Sequence, residues 1–325
     1  MSRLSTRAVA ALALLLFALP AVSSASTLTT AQVNAVIGLL QAFDVDAAIV
    51  TRVEQELGFI PSASSGDPAS NSAPAPVAVA HLPATGSPYT SSNLGYDLSY
   101  STATYPGVMF NFGVIGVTGG KAFVNNNRLS SEVAWAQVSS VTAPTAYMNL
   151  NAPYGSTVAA NIGGPKACPA NIPIAGATST EPTACEGYNY GYNAAAHSYA
   201  YAKTNGLASS LWWLDIEEAN SWSPDTSVND ATIQGAIDYL NARDTRVGIY
   251  SILPMWDDIA GTTFVPTQTI GGNPVSIPNW FPIGLDTQVG ALNTCVTDTG
   301  FIVGSPIWLI QYELNSIAVD QNIAC

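Results

Sequence analysis

Basic residues are scarce in this chain. Of 325 residues only nine are Lys or Arg and two are His, against 22 Asp or Glu, and no basic cluster occurs. Nucleic-acid binding depends on Lys and Arg neutralising phosphates, so that class of function is excluded. His81 and His197 are far apart and lack ligand spacing, which argues against zinc and leaves a serine nucleophile without a placed base. No stretch reaches the ~18 uninterrupted apolar residues of a membrane-spanning helix. No GxGxxG follows the first predicted strand, which disfavours an open doubly wound dinucleotide-binding sheet. Nothing in the chain asks for a cofactor.

What is present divides the chain. Residues 1–25 read as a secretory signal peptide: Arg3 and Arg7, an apolar stretch, then Ser23-Ser24-Ala25. Removing them takes away two basic residues and no acidic one, so the mature protein is more acidic still, and soluble. A secreted or cell-wall-associated protein is expected, with no membrane contact after signal cleavage, and as a monomer. Residues 27–60 show helical spacing (Val33, Val36, Ile37, Leu40, then Ile49, Val53, Leu57) and are predicted to form a small helical module. Residues 61–92, almost all Pro, Ala, Ser, Gly, Thr, Asn and Val, have the composition of a disordered linker. Every tryptophan, and every tyrosine but Tyr89, lies beyond it.

Residues 93–325 alternate strand-like and helix-like segments, and their length suits a TIM-like (β/α) barrel of ~250 residues. Strands are expected near 94–100, 112–118, 146–150, 211–217, 247–252, 279–283, 307–312 and 317–320. Helices fit 129–141, 188–203, 232–242 and 287–293. This order implies parallel pairing with right-handed crossovers. Cys168, Cys185, Cys295 and Cys325 form no CxxC pair; of three possible connectivities, Cys168–Cys185 and Cys295–Cys325 are favoured because each closes a loop-rich segment.

The segment Leu211-Trp212-Trp213-Leu214-Asp215-Ile216-Glu217-Glu218 concentrates the chemistry. On a strand, residues i and i+2 share a face. Trp213, Asp215 and Glu217 should therefore point one way, and Trp212, Leu214 and Ile216 into a buried layer; Glu218 is a solvated or capping acid. Asp97 falls on the first predicted strand and Asp320 on the last, and these two are neighbours once a barrel closes. Four carboxylates at one mouth would hold one of their number protonated near neutral pH, as glycoside hydrolysis requires. Abundant aromatics suit sugar faces.

Tyr96-Asp97-Leu98-Ser99, Leu214-Asp215-Ile216-Glu217, Gly248-Ile249-Tyr250-Ser251 with Trp256, and Ile310-Gln311-Tyr312 before Val319-Asp320-Gln321-Asn322 together resemble the lysozymes of glycoside hydrolase family twenty-five, over roughly residues 94–322. The resemblance implies an irregular eight-stranded barrel with fewer helices than strands, acting on peptidoglycan between N-acetylmuramic acid and N-acetylglucosamine. It further implies Glu217 as general acid, Asp215 as the aspartate that orients the substrate acetamide, and Asp97 and Asp320 as supporting carboxylates. Trp213, Tyr147, Tyr250 and Tyr312 are the expected sugar contacts. Three departures mark a divergent member: Gly119 where a glutamate commonly follows the threonine, the unusual Asn279-Trp280-Phe281-Pro282 strand, and the insertion between Cys168 and Cys185. The alternative is a non-catalytic cell-wall carbohydrate-binding protein on the same barrel.

Overall fold

A computed structural model describes residues 86–107, 110–154, 161–169, 181–314 and 319–325, all within the compact unit Pro74–Cys325. The signal peptide, the helical module and the linker up to residue 85 lie outside the described residues.

The element order is β1 (Leu94–Leu98), β2 (Phe112–Gly116), α1 (Leu129–Ser139), β3 (Thr145–Asn149), α2 (Ala184–Thr204), β4 (Leu211–Asp215), α3 (Thr226–Asn241), β5 (Arg246–Tyr250), α4 (Leu253–Ala260), β6 (Gln268–Ile270), β7 (Asn273–Val275), β8 (Asn279–Leu285), α5 (Gln288–Thr297), β9 (Ile307–Glu313) and β10 (Gln321–Ala324). Eight strands close a barrel in the order β1-β10-β9-β8-β5-β4-β3-β2, while β6 and β7 form a separate hairpin. The expected α/β barrel with fewer helices than strands is present. Among the described residues no helix is long and apolar enough to cross a membrane.

Three features differ from expectation. The last strand is Gln321–Ala324, and it runs antiparallel to both β1 and β9. The connection from Glu313 to Gln321 is shorter than the dozen or so residues a parallel crossover needs, so the chain turns back instead. The start of β10 is thereby at the same mouth as the ends of the parallel strands, which places Asp320 there although it precedes the strand. Helix α4 and the β6–β7 hairpin were not anticipated; short elements with Pro254 and Pro274 inside carry little periodic signal.

The alternation along β4 follows the period-two pattern. Trp212, Leu214 and Ile216 join the cluster between barrel and helices, whereas Leu211 and Trp213 join Phe112, Val114, Tyr147 and Trp280 inside the barrel. Aromatic rings fill that interior because glycines on adjoining strands make room. Gly95 pairs with Phe112, Gly116 with Tyr147 and Gly248 with Trp213. A Cβ on Gly248 would lie 2.3 Å from Trp213 Cζ3, and one on Gly95 2.2 Å from the Phe112 ring. Trp213 cannot yield, since its indole Nε1 donates to the Tyr89 hydroxyl at 3.0 Å and it has no exposed surface. Gly248→Ala should therefore lower stability by about 2–3 kcal/mol through overpacking. Gly107→Ala, where a Cβ meets nothing within 4 Å, should change the denaturant midpoint very little.

Tyr89, placed by composition in the linker, is part of the barrel. It is buried, and its hydroxyl meets Thr145 Oγ1 at 2.8 Å as well as the Trp213 indole. One aromatic among small polar residues suffices to anchor the entry of the chain beneath the barrel. Both expected disulfides, Cys168–Cys185 and Cys295–Cys325, are formed; the second ties α5 to the end of the chain.

Candidate active site

The site is assembled at the C-terminal ends of the parallel strands. Asp97 lies on β1 and Asp215 ends β4, both 6% exposed. Glu217 follows two residues beyond Asp215 and is half-buried, as is Asp320 just before β10. The backbone fixes where Glu217 lies. Ile216 N–H donates to Tyr250 O at 2.9 Å, Ser251 Oγ donates to Ile216 O at 2.7 Å, and Trp222 Nε1 donates to Glu217 O at 2.8 Å. The first turn after β4 is thus held as firmly as the strand.

Pairing of β1 with β10 brings Asp97 to Asp320: the Asp97 backbone N–H donates to Asp320 O at 3.2 Å. The negative charges of Asp97, Asp215, Glu217 and Asp320 all act on the Tyr250 phenol, and those of the three aspartates on the Tyr147 phenol. Strand order and pairing place all four sequence-predicted acids at one mouth of the barrel.

Burial is the main influence on each acid. It pushes Asp97 up to about 7, aided by the Asp320 charge and opposed by hydrogen bonds from Gln311 and Asn322. It pushes Asp215 far above the usual carboxylate range, and the charges of Glu217 and Asp97 act in the same direction. Glu217 is raised by burial too. Asp320 is raised by burial and by Glu313. Asp215 and Glu217 therefore titrate as an interacting pair in which both carboxyls are held above the usual range, so that at least one resists ionisation.

Three amides missed in the sequence complete the site. Asn149 Nδ2 donates to Asp215 Oδ2. Asn322 Nδ2 and Gln311 Nε2 donate to Asp97 Oδ2 at 2.7 and 3.0 Å. Gln311 Oε1 in turn accepts from the Tyr250 hydroxyl at 2.8 Å. The Trp280 indole, a donor only, fixes Asn322 by donating to its Oδ1 at 2.7 Å. Alternation along the strands carried the signal for Asn149, two residues beyond Tyr147.

Two expected sugar contacts are corrected. Trp213 shares its face with Asp215 but lies roughly 6.6 Å deeper along the strand. Its ring has no exposed surface, so it supports the site from below. Tyr312 is 1% exposed and belongs to the layer outside the barrel, its hydroxyl donating to Gln321 Oε1 at 2.8 Å. The register shift between Asn279 and Trp280, which skips Trp308, is the cause: counting by twos from the inward Trp308 reaches Tyr312, but the bulge reverses the phase and turns Gln311 inward. Gly119, where a glutamate is expected, has no room for a side chain; a Cβ there would lie 2.9 Å from Asn125 O. Among the described residues no group of three His, Cys, Asp or Glu is arranged to hold a metal ion.

Residues 180–270 match the family model described as Lysozyme-like protein 1. That stretch carries α2, β4 with Asp215, Glu217 just beyond it, α3, β5, α4 and β6. No curated protein matches the sequence. Among solved structures, the catalytic domain of an endolysin from bacteriophage P40 of Listeria monocytogenes is similar at 16% identity over 74% of this chain and 95% of its own, with a TM-score of 0.40. A muramidase from Acremonium alcalophilum is similar at 14% identity over 71% and 93%, also with a TM-score of 0.40.

Proposed function

We propose that this protein is a muramidase-like glycoside hydrolase that cleaves a cell-wall glycan, peptidoglycan, by carboxylate acid/base catalysis. The observation that carries the reading is the pair of carboxyls Asp215 and Glu217, two residues apart at the open end of a closed barrel and both raised by burial. A glycosidic bond breaks when its oxygen is protonated while positive charge develops on the sugar ring. Glu217, half-buried and beyond the strand end, is the acid placed to reach an incoming glycosidic oxygen. Asp215, deeper and more buried, accepts the N–H of a substrate acetamide. That contact favours the ionised form of Asp215, and the proton passes to Glu217, where the leaving group takes it.

Asp97 and Asp320, to the extent that they are ionised, stabilise the cationic character of the transition state. Tyr250 and Tyr147 border the acids and offer ring surface and hydroxyls to the sugar. The protein is expected to act outside the cell, without a cofactor, as a monomer whose partner is the wall polysaccharide.

The test is turnover. The chain from residue 26 onward, incubated with purified peptidoglycan, should release new reducing ends at a rate that scales with enzyme concentration. If neither peptidoglycan, chitin nor a non-bacterial wall polymer yields products, the reading is wrong. Retention on the insoluble polymer without products would instead identify a binding protein.

A further inference from the structure

Asp215 has one oxygen engaged and one buried without a donor. Oδ2 accepts from Asn149 Nδ2, while Oδ1 is enclosed and receives no hydrogen bond. The Asn149 amide is itself constrained from behind. Thr118, 2% exposed just beyond the end of β2, accepts from the Asn149 backbone N–H at 2.9 Å and donates its one hydroxyl hydrogen to Asn149 Oδ1 at 2.7 Å.

Reversing the Asn149 amide would put its NH2 against the Thr118 oxygen, which already accepts, and leave the Thr118 hydrogen without an acceptor. It would also set Asn149 Oδ1 against Asp215 Oδ2, acceptor against acceptor, unless that oxygen were protonated. The observed orientation satisfies each group whether Asp215 is charged or neutral; the reversed one does not.

We propose that Thr118 and Asn149 are positioning residues for the acid pair: Thr118 orients the Asn149 amide so that Asp215 Oδ2 always accepts, leaving Oδ1 as the one oxygen that carries and hands over the proton. The proposal rests on the reading of Asp215 and Glu217 as that pair. The step is a proton transfer only: the Oδ1–H bond of Asp215 breaks as an O–H bond forms on Glu217, and the negative charge moves the opposite way. The ionisable groups facing Asp215 are Glu217 beyond β4, Asp97 on β1, Tyr147 on β3 and Tyr250 on β5. The charges acting on it, from Glu217 and Asp97, are all negative, and the Asn149 NH2 donates a hydrogen bond to it, a contact that favours the ionised form.

The experiment compares Thr118→Val, which keeps the branched shape without the donor, with Thr118→Ser, which keeps the donor. Carboxyl carbons of 13C-labelled Asp and Glu are followed by NMR through a pH titration. Thr118→Val should raise the midpoint of the Asp215 resonance by about one pH unit, the size expected for losing a hydrogen bond to a charged group, and Thr118→Ser should return it to the wild-type value. On peptidoglycan, kcat should fall about ten-fold in Thr118→Val with KM unchanged, and the alkaline limb of the rate profile should move up with the midpoint.

Should Thr118→Val fail to fold, Asn149→Ala gives the same upward shift without touching β2. An unmoved Asp215 midpoint in either folded variant would overturn the proposal. A shifted midpoint in a protein that cleaves no wall polymer would leave the positioning roles in place and defeat the hydrolase reading alone.

Discussion

Glu217→Gln should all but abolish release of reducing ends from peptidoglycan, with kcat reduced about 10³-fold, the middle of the range for loss of a general acid, and with no loss of thermal stability. The substitution keeps the shape of the side chain and the backbone hydrogen bonds of the turn, from Trp222 to Glu217 O, from Ser251 to Ile216 O and from Ile216 N–H to Tyr250 O. It removes the proton donor and one negative charge from a mouth that holds four acids. Relief of that repulsion offsets any lost contact, so the melting temperature stays level or rises. Asp215 also changes: without the neighbouring charge that holds it up, its titration midpoint falls. A dead variant with an unaltered fold and a lowered Asp215 midpoint identifies Glu217 as the acid. A variant retaining most of its rate places the acid elsewhere.

Stability should be greatest in mild acid and decline towards alkaline pH. Asp97 and Glu132 are both buried, and burial pushes each up to about 7; Asp215, Glu217 and Asp320 are also raised. A carboxyl whose folded-state affinity for its proton exceeds that of the unfolded chain binds more protons when folded. Its contribution is therefore fully present below the unfolded value, near 4, and is lost as pH rises through the folded value, near 7. Across the set this amounts to a few kcal/mol, which for a domain of this size corresponds to a melting temperature on the order of 10 °C higher at pH 5 than at pH 8. Calorimetry at fixed ionic strength measures it. Glu132→Gln should flatten the dependence, since Asn126 Nδ2, now bonded to Glu132 Oε2 at 2.7 Å, can bond equally to an amide oxygen. A melting temperature that increases from pH 5 to pH 8 would contradict the burial of these acids in uncharged form.

Much of the frame was legible because it obeys simple periods. The sides taken by Trp212, Trp213, Leu214 and Asp215 follow from alternation alone, and the closing of β1 beside the last strand brought Asp97 and Asp320 into one mouth. What escaped depends on contacts between distant strands. Asn149, Gln311 and Asn322 read as ordinary polar residues until Thr118, Tyr250 and Trp280 are placed against them, and no local pattern encodes that. Tyr312 was assigned to the wrong side because a bulge at Trp308 reverses the phase of β9. Tyr89 was hidden in a run of linker composition, its burial set by contacts with Phe112, Thr145 and Trp213. The antiparallel course of β10 was missed through a connection too short to cross over, a constraint of chain length that hydrophobic pattern does not reveal.

The most direct test of the central claim is the identity of the sugar at the newly formed reducing end. After digestion of purified peptidoglycan, borohydride reduction and mass spectrometry of the soluble fragments distinguish the two amino sugars. A muramidase built on the Asp215–Glu217 pair leaves reduced N-acetylmuramic acid at every new end, and Glu217→Gln leaves none. Fragments ending in reduced N-acetylglucosamine, or no soluble fragments from an intact folded protein, would contradict the account.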